Sequence, residues 1–234
     1  MCFSYQKIAK EIKNSDKVIL HDDEILSYGS NRICYLYKEH PSKIIKISRD
    51  STHWKRGHRQ SLSEWYVSKK IKKTGKDSHI SLCHTWVTTN RGPGLVVDKI
   101  FDDNGKSLTL RKLLFKKELT VGSALILIED VIKSFSPLGI PASDFNIDNF
   151  ILDGNHHDYK LIMVDGFSPK KLDFKTYLLL KSRRLSGFYT HRKWQQAKSQ
   201  FTKCAQEVYA GNYCYAAAPP LHATSKASSD NSCG

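Results

Sequence analysis

Two short apolar runs, residues 150–152 and 161–164, most strongly limit what this chain can fold into. The residues between them, 153–158, are all Asp, Gly, Asn or His, which favour turns. Apolar runs this short are typical of strands, since helices usually need roughly ten or more residues. The sequence therefore predicts a β-hairpin in this region.

Three polar residues flank the predicted hairpin, with Asp144 and Asn149 before it and Asp165 after it. A hairpin would bring all three to one end of a sheet. Two carboxylates and an amide oxygen suit one or two Mg²⁺ ions that also hold substrate phosphates. The same spacing is used by protein kinases to place a base and bind metal. Because Asp, Asn and Gly are also ordinary turn residues, both interpretations stay open on these residues alone.

The length and composition indicate a folded chain with room for one sizeable domain or two small lobes, at 234 residues and 40% hydrophobic. No apolar run approaches the roughly 18 residues of a membrane span. The first 17 residues lack the apolar core of a secretory signal. The six cysteines include no CxxC pair, which argues against disulfide and zinc frameworks and favours a cytoplasmic location.

The formal net charge of +14 indicates an anionic partner, which could be nucleic acid, an acidic lipid surface or a phosphorylated small molecule. A solvated coat of lysines is the alternative. Residues 181–194 mix basic and aromatic side chains, which can bind nucleic acid. Such a mixture is more often the solvated face of terminal helices, so we do not expect nucleic acid to be the main partner. The sequence contains neither an HExxH nor a GxSxG motif.

The N-terminal half combines strand-like and helix-like patterns. Residues 25–48 predict two or three antiparallel strands, with Lys46 among isoleucines in the last of them. By alternation Lys46 could face solvent, or it could project into a cleft and contact phosphate. Glu64 lies in a segment, residues 61–73, that is compatible with a helix. A strand lysine paired with a helix glutamate orients nucleotide phosphates in kinases.

Taken in order, these residues resemble the site of a protein-kinase-like fold, and the chain as a whole is similar to the YrbL family of PhoP-regulatory-network proteins. The segments that carry the closer resemblance are GSNRICYLY (29–37), SKIIKIS (42–48), SEWYVSKKI (63–71), residues 94–114, DFNIDNFIL (144–152) and VDGF (164–167). The similarity extends over about residues 25–200.

The resemblance implies an α+β, two-lobed fold. It would have a small antiparallel β N-lobe with one helix and a mostly helical C-lobe that contains the β-hairpin. The implied segments are an N-terminal extension (1–24), an N-lobe (25–100), a C-lobe (101–209) and a disordered tail (210–234).

The resemblance also implies ATP and Mg²⁺ as cofactors. Lys46 would contact the phosphates and be held by Glu64, and Asp144 would act as base or orient the substrate. Asn149 and Asp165 would bind metal. The implied nucleotide-binding residues are Gly29, Ser30, Arg32, Lys46, Asp98 and Ile100, the last two in the hinge that contacts adenine.

Several departures from kinase motifs limit these roles. Of the glycine-rich loop only Gly29 is kept, although Arg32 could supply charge instead. Ala142-Ser143-Asp144 replaces His-Arg-Asp, and Asp165-Gly166-Phe167 has its last two residues exchanged. No activation segment follows. The sequence therefore favours an atypical or small-substrate kinase, and the alternative is a catalytically silent pseudokinase that acts as a basic regulatory protein in a PhoP-type stress response.

Overall fold

Residues 17–98 build a six-stranded sheet with one long helix packed against it. The strands are β1 (Lys17–Val18), β2 (Ile25–Tyr28), β3 (Arg32–Leu36), β4 (Lys43–Ser48), β5 (Cys83–Thr89) and β6 (Gly92–Asp98), and the helix is α1 (Trp54–Lys72). The spatial order is β1-β5-β6-β4-β3-β2. The predicted strands over residues 25–48 and the helix around Glu64 are thereby confirmed.

The computed structural model describes residues 17–49, 54–76, 79–101, 105–154, 160–170 and 173–212. Some predictions lie wholly or partly outside these residues. They are a short helix that residues 8–14 indicate within residues 1–20, a turn that Asp, Asn and Gly indicate at 102–105, the turn at 153–158 and the tail at 210–234.

Most neighbouring strands of the large sheet are antiparallel, as predicted, but β1 is an exception. It pairs in parallel with β5, matching Lys17 to Thr88. The strand pairs within the predicted N-lobe, residues 25–100, are antiparallel, so β1 is an additional parallel strand from the segment that precedes it. Strands β1 and β5 are separated by more than sixty residues of chain, so no tight turn forces them to run in opposite directions.

Strand β4 is buried on both faces, which is unusual for a strand that carries a lysine. Ile44 belongs to the core cluster beneath α1, whereas Ile45 and Ile47 pack on the opposite face with Leu20 and Tyr35. Alternate residues of a strand point to opposite faces, so Lys46 shares the α1 side with Ile44. Its position beneath a helix follows from this parity.

The rest of the described chain contains three strands, which form a small sheet, and four α-helices. These are β7 (Leu108–Thr109), α2 (Leu110–Phe115), α3 (Val121–Leu138), β8 (Phe150–Asp153), β9 (Lys160–Met163), α4 (Phe174–Lys181) and α5 (Arg183–Tyr209). The antiparallel β8–β9 pair confirms the predicted hairpin, and β7 adds a third strand. The helix expected over 111–118 ends earlier, because Lys117 takes a φ of +59°.

Helix α3 has clear start and stop residues. The Thr120 side chain accepts a hydrogen bond from the Ser123 N–H, and Gly139 ends the helix with a φ of +67°. Its apolar face packs against α5, and the two contribute to the same core cluster as α1 and both sheets. The chain continues from Gly139 directly into the loop that holds Asp144.

One apolar cluster runs through both parts of the described chain. It includes Trp65 of α1, Leu95 of β6, Phe135 of α3 and Trp194 of α5. A bridge between Ile80 and Met163 joins the segment before β5 to strand β9. Among the described residues, no helix has both the length and the apolar character needed to cross a membrane.

Candidate functional site

A cluster of four charged side chains lies where α1 faces β3 and β4. Glu64 of α1 is fully buried, and the Arg32 guanidinium of β3 donates to both of its oxygens at 2.7 Å. The Lys46 ammonium of β4 lies 3.5 Å from the same carboxylate. Asp165, two residues after β9, places a carboxylate oxygen 2.8 Å from the Arg32 guanidinium. Two cations and two carboxylates therefore meet between the sheet and the β8–β9 hairpin.

The two alternatives for Lys46 are resolved by its burial. Only 4% of the residue is exposed, and its Nζ donates a 2.6 Å hydrogen bond to the Val164 carbonyl. The side chain therefore projects into the space between β4, α1 and the end of β9, and the solvent-facing alternative is excluded. It lies beside Glu64, as the sequence predicted.

Burial and ion pairing shift the pKa values of the charged groups in this cluster in opposite directions. Burial raises the pKa of Glu64, and the charges of Arg32 and Lys46 offset only part of that effect. Desolvation also works to raise the pKa of Asp165, but Arg32 and Lys46 outweigh it and hold that pKa well below its usual range. Burial opposes the charged form of Arg32, yet Asp165 and Glu64 raise its pKa well above the ordinary value. The Arg32–Asp165 contact is thus a contact between charged groups.

Two members of the site were missed in the sequence, and both come from α1. The Gln60 side-chain amide donates to Asp165 and also reaches Glu64 at 3.4 Å. The Ser61 hydroxyl accepts from Arg32 at 3.2 Å. Both positions precede Glu64 by one helical turn, so they share its face. The sequence spacing shows that both residues share the helix face of Glu64. It does not show their contacts with Arg32 and Asp165, which lie on other parts of the fold.

The predicted site residues Asp144 and Asn149 lie close to the segment Asp165–Gly166, held by several short contacts. Asp144 and Ser143 both donate their N–H groups to the Gly166 carbonyl, at 3.3 and 2.9 Å. The Asn149 side-chain amide donates to the Asp144 carbonyl at 3.0 Å. Gly166 has a φ of +76°, and a Cβ there would lie 2.6 Å from the Asp144 Cβ. Only glycine lets Asp165 and Asp144 approach in this way.

A cation that the sequence did not reveal lies on Asp144. The Lys170 ammonium is 2.8 Å from the Asp144 carboxylate, and 59% of the Lys170 side chain is exposed. No spacing rule links positions 144 and 170, so this contact depends on the path of the chain after Phe167. The candidate base is therefore paired in this conformation.

The glycine-containing turn joins β2 to β3 and comes just before Arg32, the first residue of β3. Gly29 and Ser30 are exposed between β2 and β3, and the Gly29 N–H donates to the Arg32 carbonyl at 2.8 Å. A Cβ on Gly29 would lie 3.1 Å from that carbonyl oxygen. The turn is therefore tight, while the Arg32 side chain points away from it towards Glu64.

The predicted hinge residues lie apart from the charged cluster. Asp98 pairs with Lys43 at the end of β6, three residues beyond the partner of Lys46. Its N–H donates to the Leu82 carbonyl at 3.0 Å, and its carboxylate accepts from the Leu82 N–H at 3.2 Å. The Ile100 carbonyl accepts from the Ser107 hydroxyl at 2.6 Å. These contacts fix the connection between the large sheet and β7.

Most of the chain matches the sequence profile of one known protein family. The family profile described as PhoP regulatory network protein YrbL matches residues 18–203. The chain belongs to the YrbL family. No curated protein matches the sequence. The match includes every site residue from Gly29 to Lys170, and it confirms the resemblance to the YrbL family that was seen in the sequence.

The YrbL-family site offers two oxygen donors for a metal, the Asp165 carboxylate and the Asn149 amide. Within the described residues, no group of three or more His, Cys, Asp or Glu side chains could hold a metal ion. Mg²⁺ would therefore need nucleotide phosphates as further ligands, as is usual for this ion. Asp165 is engaged by Arg32 and Gln60 here. The donor types suit Mg²⁺, but Arg32 must release Asp165 before it can bind.

Proposed function

We propose that this YrbL-family protein is an atypical kinase of protein-kinase-like, two-lobed architecture. It binds ATP with Mg²⁺ in the cytoplasm and transfers the terminal phosphate to a hydroxyl-bearing acceptor. The observation that carries the proposal is the Lys46–Glu64 pair on a strand and a facing helix, with Asp165 beside it. In this proposal the sheet with α1 would be the N-lobe, and the helical part with the hairpin would be the C-lobe.

Each site residue has a role in this proposal. Lys46 contacts the phosphates and is held in place by Glu64. Asp144 accepts the proton of the acceptor hydroxyl, since a base must lie within hydrogen-bond reach of the proton it removes. Asp165 and Asn149 hold Mg²⁺, which neutralises phosphate charge when bound.

The nucleotide itself would lie between the glycine turn and the hinge. Gly29 and Ser30 are exposed just before β3. The Gly29 N–H is bonded to the Arg32 carbonyl, so the Ser30 main-chain N–H would be the one to approach phosphate. The Asp98 main chain is already bonded to residues 81 and 82. The Ile100 carbonyl accepts from the Ser107 hydroxyl, so adenine recognition at this position would use the Ile100 N–H.

A specific observation favours a second candidate, a pseudokinase with a regulatory role. Arg32 occupies Asp165 and Lys170 occupies Asp144, so both acidic groups needed for transfer carry a cation. If a nucleotide does not displace these cations, the site binds ligand without turnover. The two candidates share the fold and differ in one measurable quantity, the release of ADP.

Isothermal titration of ATP with and without Mg²⁺ tests nucleotide binding. We expect Mg²⁺-dependent binding to the unmodified protein and its loss in Asp165→Ala, because the one carboxylate donor to the metal is removed. Asp130→Ala is the matched control, since Asp130 lies on α3 and pairs with the exposed Lys133. Equal binding by Asp165→Ala and the unmodified protein would remove Asp165 from the site.

An ADP-release assay on the same proteins separates the two candidates. For a kinase, Asp144→Asn should keep ATP binding and lower turnover by roughly 10²-fold or more, as expected when a general base is removed. Binding with no turnover in the unmodified protein would establish the pseudokinase. Absence of any ATP binding would contradict both.

A further inference from the structure

Helices α4 and α5 contain many basic side chains and almost no acidic ones. Between Asp173 and Glu207 the sequence contains eight Lys or Arg residues and no Asp or Glu. Asp173 caps the start of α4, so it lies at the edge of this region. A surface of this kind attracts anionic partners.

The same two helices expose large apolar side chains. Phe174 and Phe188 are 74% and 68% exposed, and Leu178 and Leu185 are 41% and 47% exposed. These four residues, named the α4–α5 patch here, fall within fifteen consecutive positions. Exposed phenylalanines and leucines among basic residues need a partner to cover them.

Contacts between the helices place the four residues on neighbouring turns. The Lys175 ammonium lies 5.3 Å from the centre of the Tyr189 ring, and the Ser186 hydroxyl donates to the Leu179 carbonyl. The two helices therefore run side by side in opposite directions, with position 174 near position 188. Phe174 and Leu178 are one helical turn apart on α4, as are Leu185 and Phe188 on α5.

We propose that the α4–α5 patch docks the protein peripherally on an anionic lipid surface. The phenyl and isobutyl groups insert at the headgroup boundary, and the surrounding lysines and arginines contact lipid phosphates. Amphipathic helices that lie on membranes use this combination of Phe or Leu with Lys or Arg. Basic side chains near an anionic leaflet add to the attraction.

The chemistry of the patch disfavours other occupants. A second copy of the chain that docked through the same two helices would place basic side chains against basic side chains, which is repulsive. Single-stranded nucleic acid stacks on aromatic rings, but half of the patch is leucine. The Tyr177 and Tyr189 rings are already covered by Lys181 and Lys175. Two phenylalanines that protrude this far suit a deformable surface better than a preformed pocket.

Co-sedimentation of the full chain with vesicles tests the proposal, without nucleotide present. We expect binding to vesicles of phosphatidylcholine mixed with phosphatidylglycerol and at least roughly tenfold weaker binding to phosphatidylcholine alone. The double variant Phe174→Ser/Phe188→Ser should bind the anionic vesicles about tenfold more weakly, although its charge is unchanged.

Phe115→Ser/Ile126→Ser is the matched control, because these residues are 56% and 64% exposed on α2 and α3. The Glu129–Lys198 ion pair shows that this part of α3 lies beside the distant half of α5. The control should bind vesicles within about twofold of the unmodified protein. Circular dichroism checks that both variants fold.

Three outcomes would overturn the proposal. The first is equal vesicle binding by the patch variant and the unmodified protein. The second is an equal loss in the patch variant and the control, which would show that exposed apolar side chains anywhere on the surface, and not this patch, determine vesicle binding. The third is unchanged vesicle binding with loss of binding to a single-stranded oligonucleotide, which would make the patch a nucleic-acid surface.

Discussion

Replacing Glu64 with alanine should lower the free energy of unfolding by roughly 3–5 kcal/mol, the usual loss when one partner of a buried ion pair is removed. Arg32 and Lys46 are each only 4% exposed, so neither can recover full hydration. The remaining carboxylate, Asp165, can neutralise only one of them. Urea denaturation followed by circular dichroism measures the difference.

Glu129→Ala provides the comparison for this effect. Glu129 is also a helical glutamate in an ion pair, 2.7 Å from Lys198, but both partners are about 40% exposed. Exposed pairs contribute roughly 0–1 kcal/mol, so this substitution should have little effect. Similar losses for Glu64→Ala and Glu129→Ala would mean that the cluster is open to water.

Replacing Gly166 with alanine should cost roughly 2–5 kcal/mol and also disturb Asp144. The left-handed backbone at Gly166, with a φ of +76°, costs an L-residue about 1–2 kcal/mol. The new methyl group would lie 2.6 Å from the Asp144 Cβ and 2.7 Å from its carbonyl oxygen, and such overpacking adds about 1–3 kcal/mol. Urea denaturation measures the total loss in the free energy of unfolding.

Gly75→Ala separates the two contributions. Gly75 also has a positive φ, +62°, but a Cβ there has nothing within 4 Å. Its loss should therefore be about 1–2 kcal/mol, the conformational cost alone. If Gly166→Ala lowers the free energy of unfolding no more than Gly75→Ala does, the loop that carries Asp144 can move to accommodate the methyl group. Its close contact with Gly166 would then contribute little to stability.

The local patterns predicted most of the elements. Runs of apolar residues between turn formers gave β8 and β9, and apolar spacing at helical period gave α3 and the helix around Glu64. Each of these depends on neighbours in sequence, which is the information that a pattern contains. The parallel partner of β1 and the third strand β7 depend on residues far along the chain, so local patterns could not reveal them.

Arg32 shows why the site was only partly predictable. From the sequence it was expected to supply charge to phosphates near the glycine turn. Its placement beside Glu64 and Asp165 depends on contacts across 32 and 133 positions of the chain. The pair of Lys46 and Glu64 was expected from the resemblance to kinases, and the two side chains lie 3.5 Å apart. The nucleotide-binding role of this pair remains a prediction.

The continuous apolar core has a consequence for how the molecule moves. Trp65 and Trp194 belong to one cluster although they come from opposite parts of the chain. The sheet and the helical part should therefore melt in a single cooperative transition, seen at the same urea concentration by any probe. Wide bending of the sheet against the helical part would break contacts in this core. If Asp165 binds a metal as proposed, rotation of the Arg32 side chain away from it is the smaller motion that would free its carboxylate.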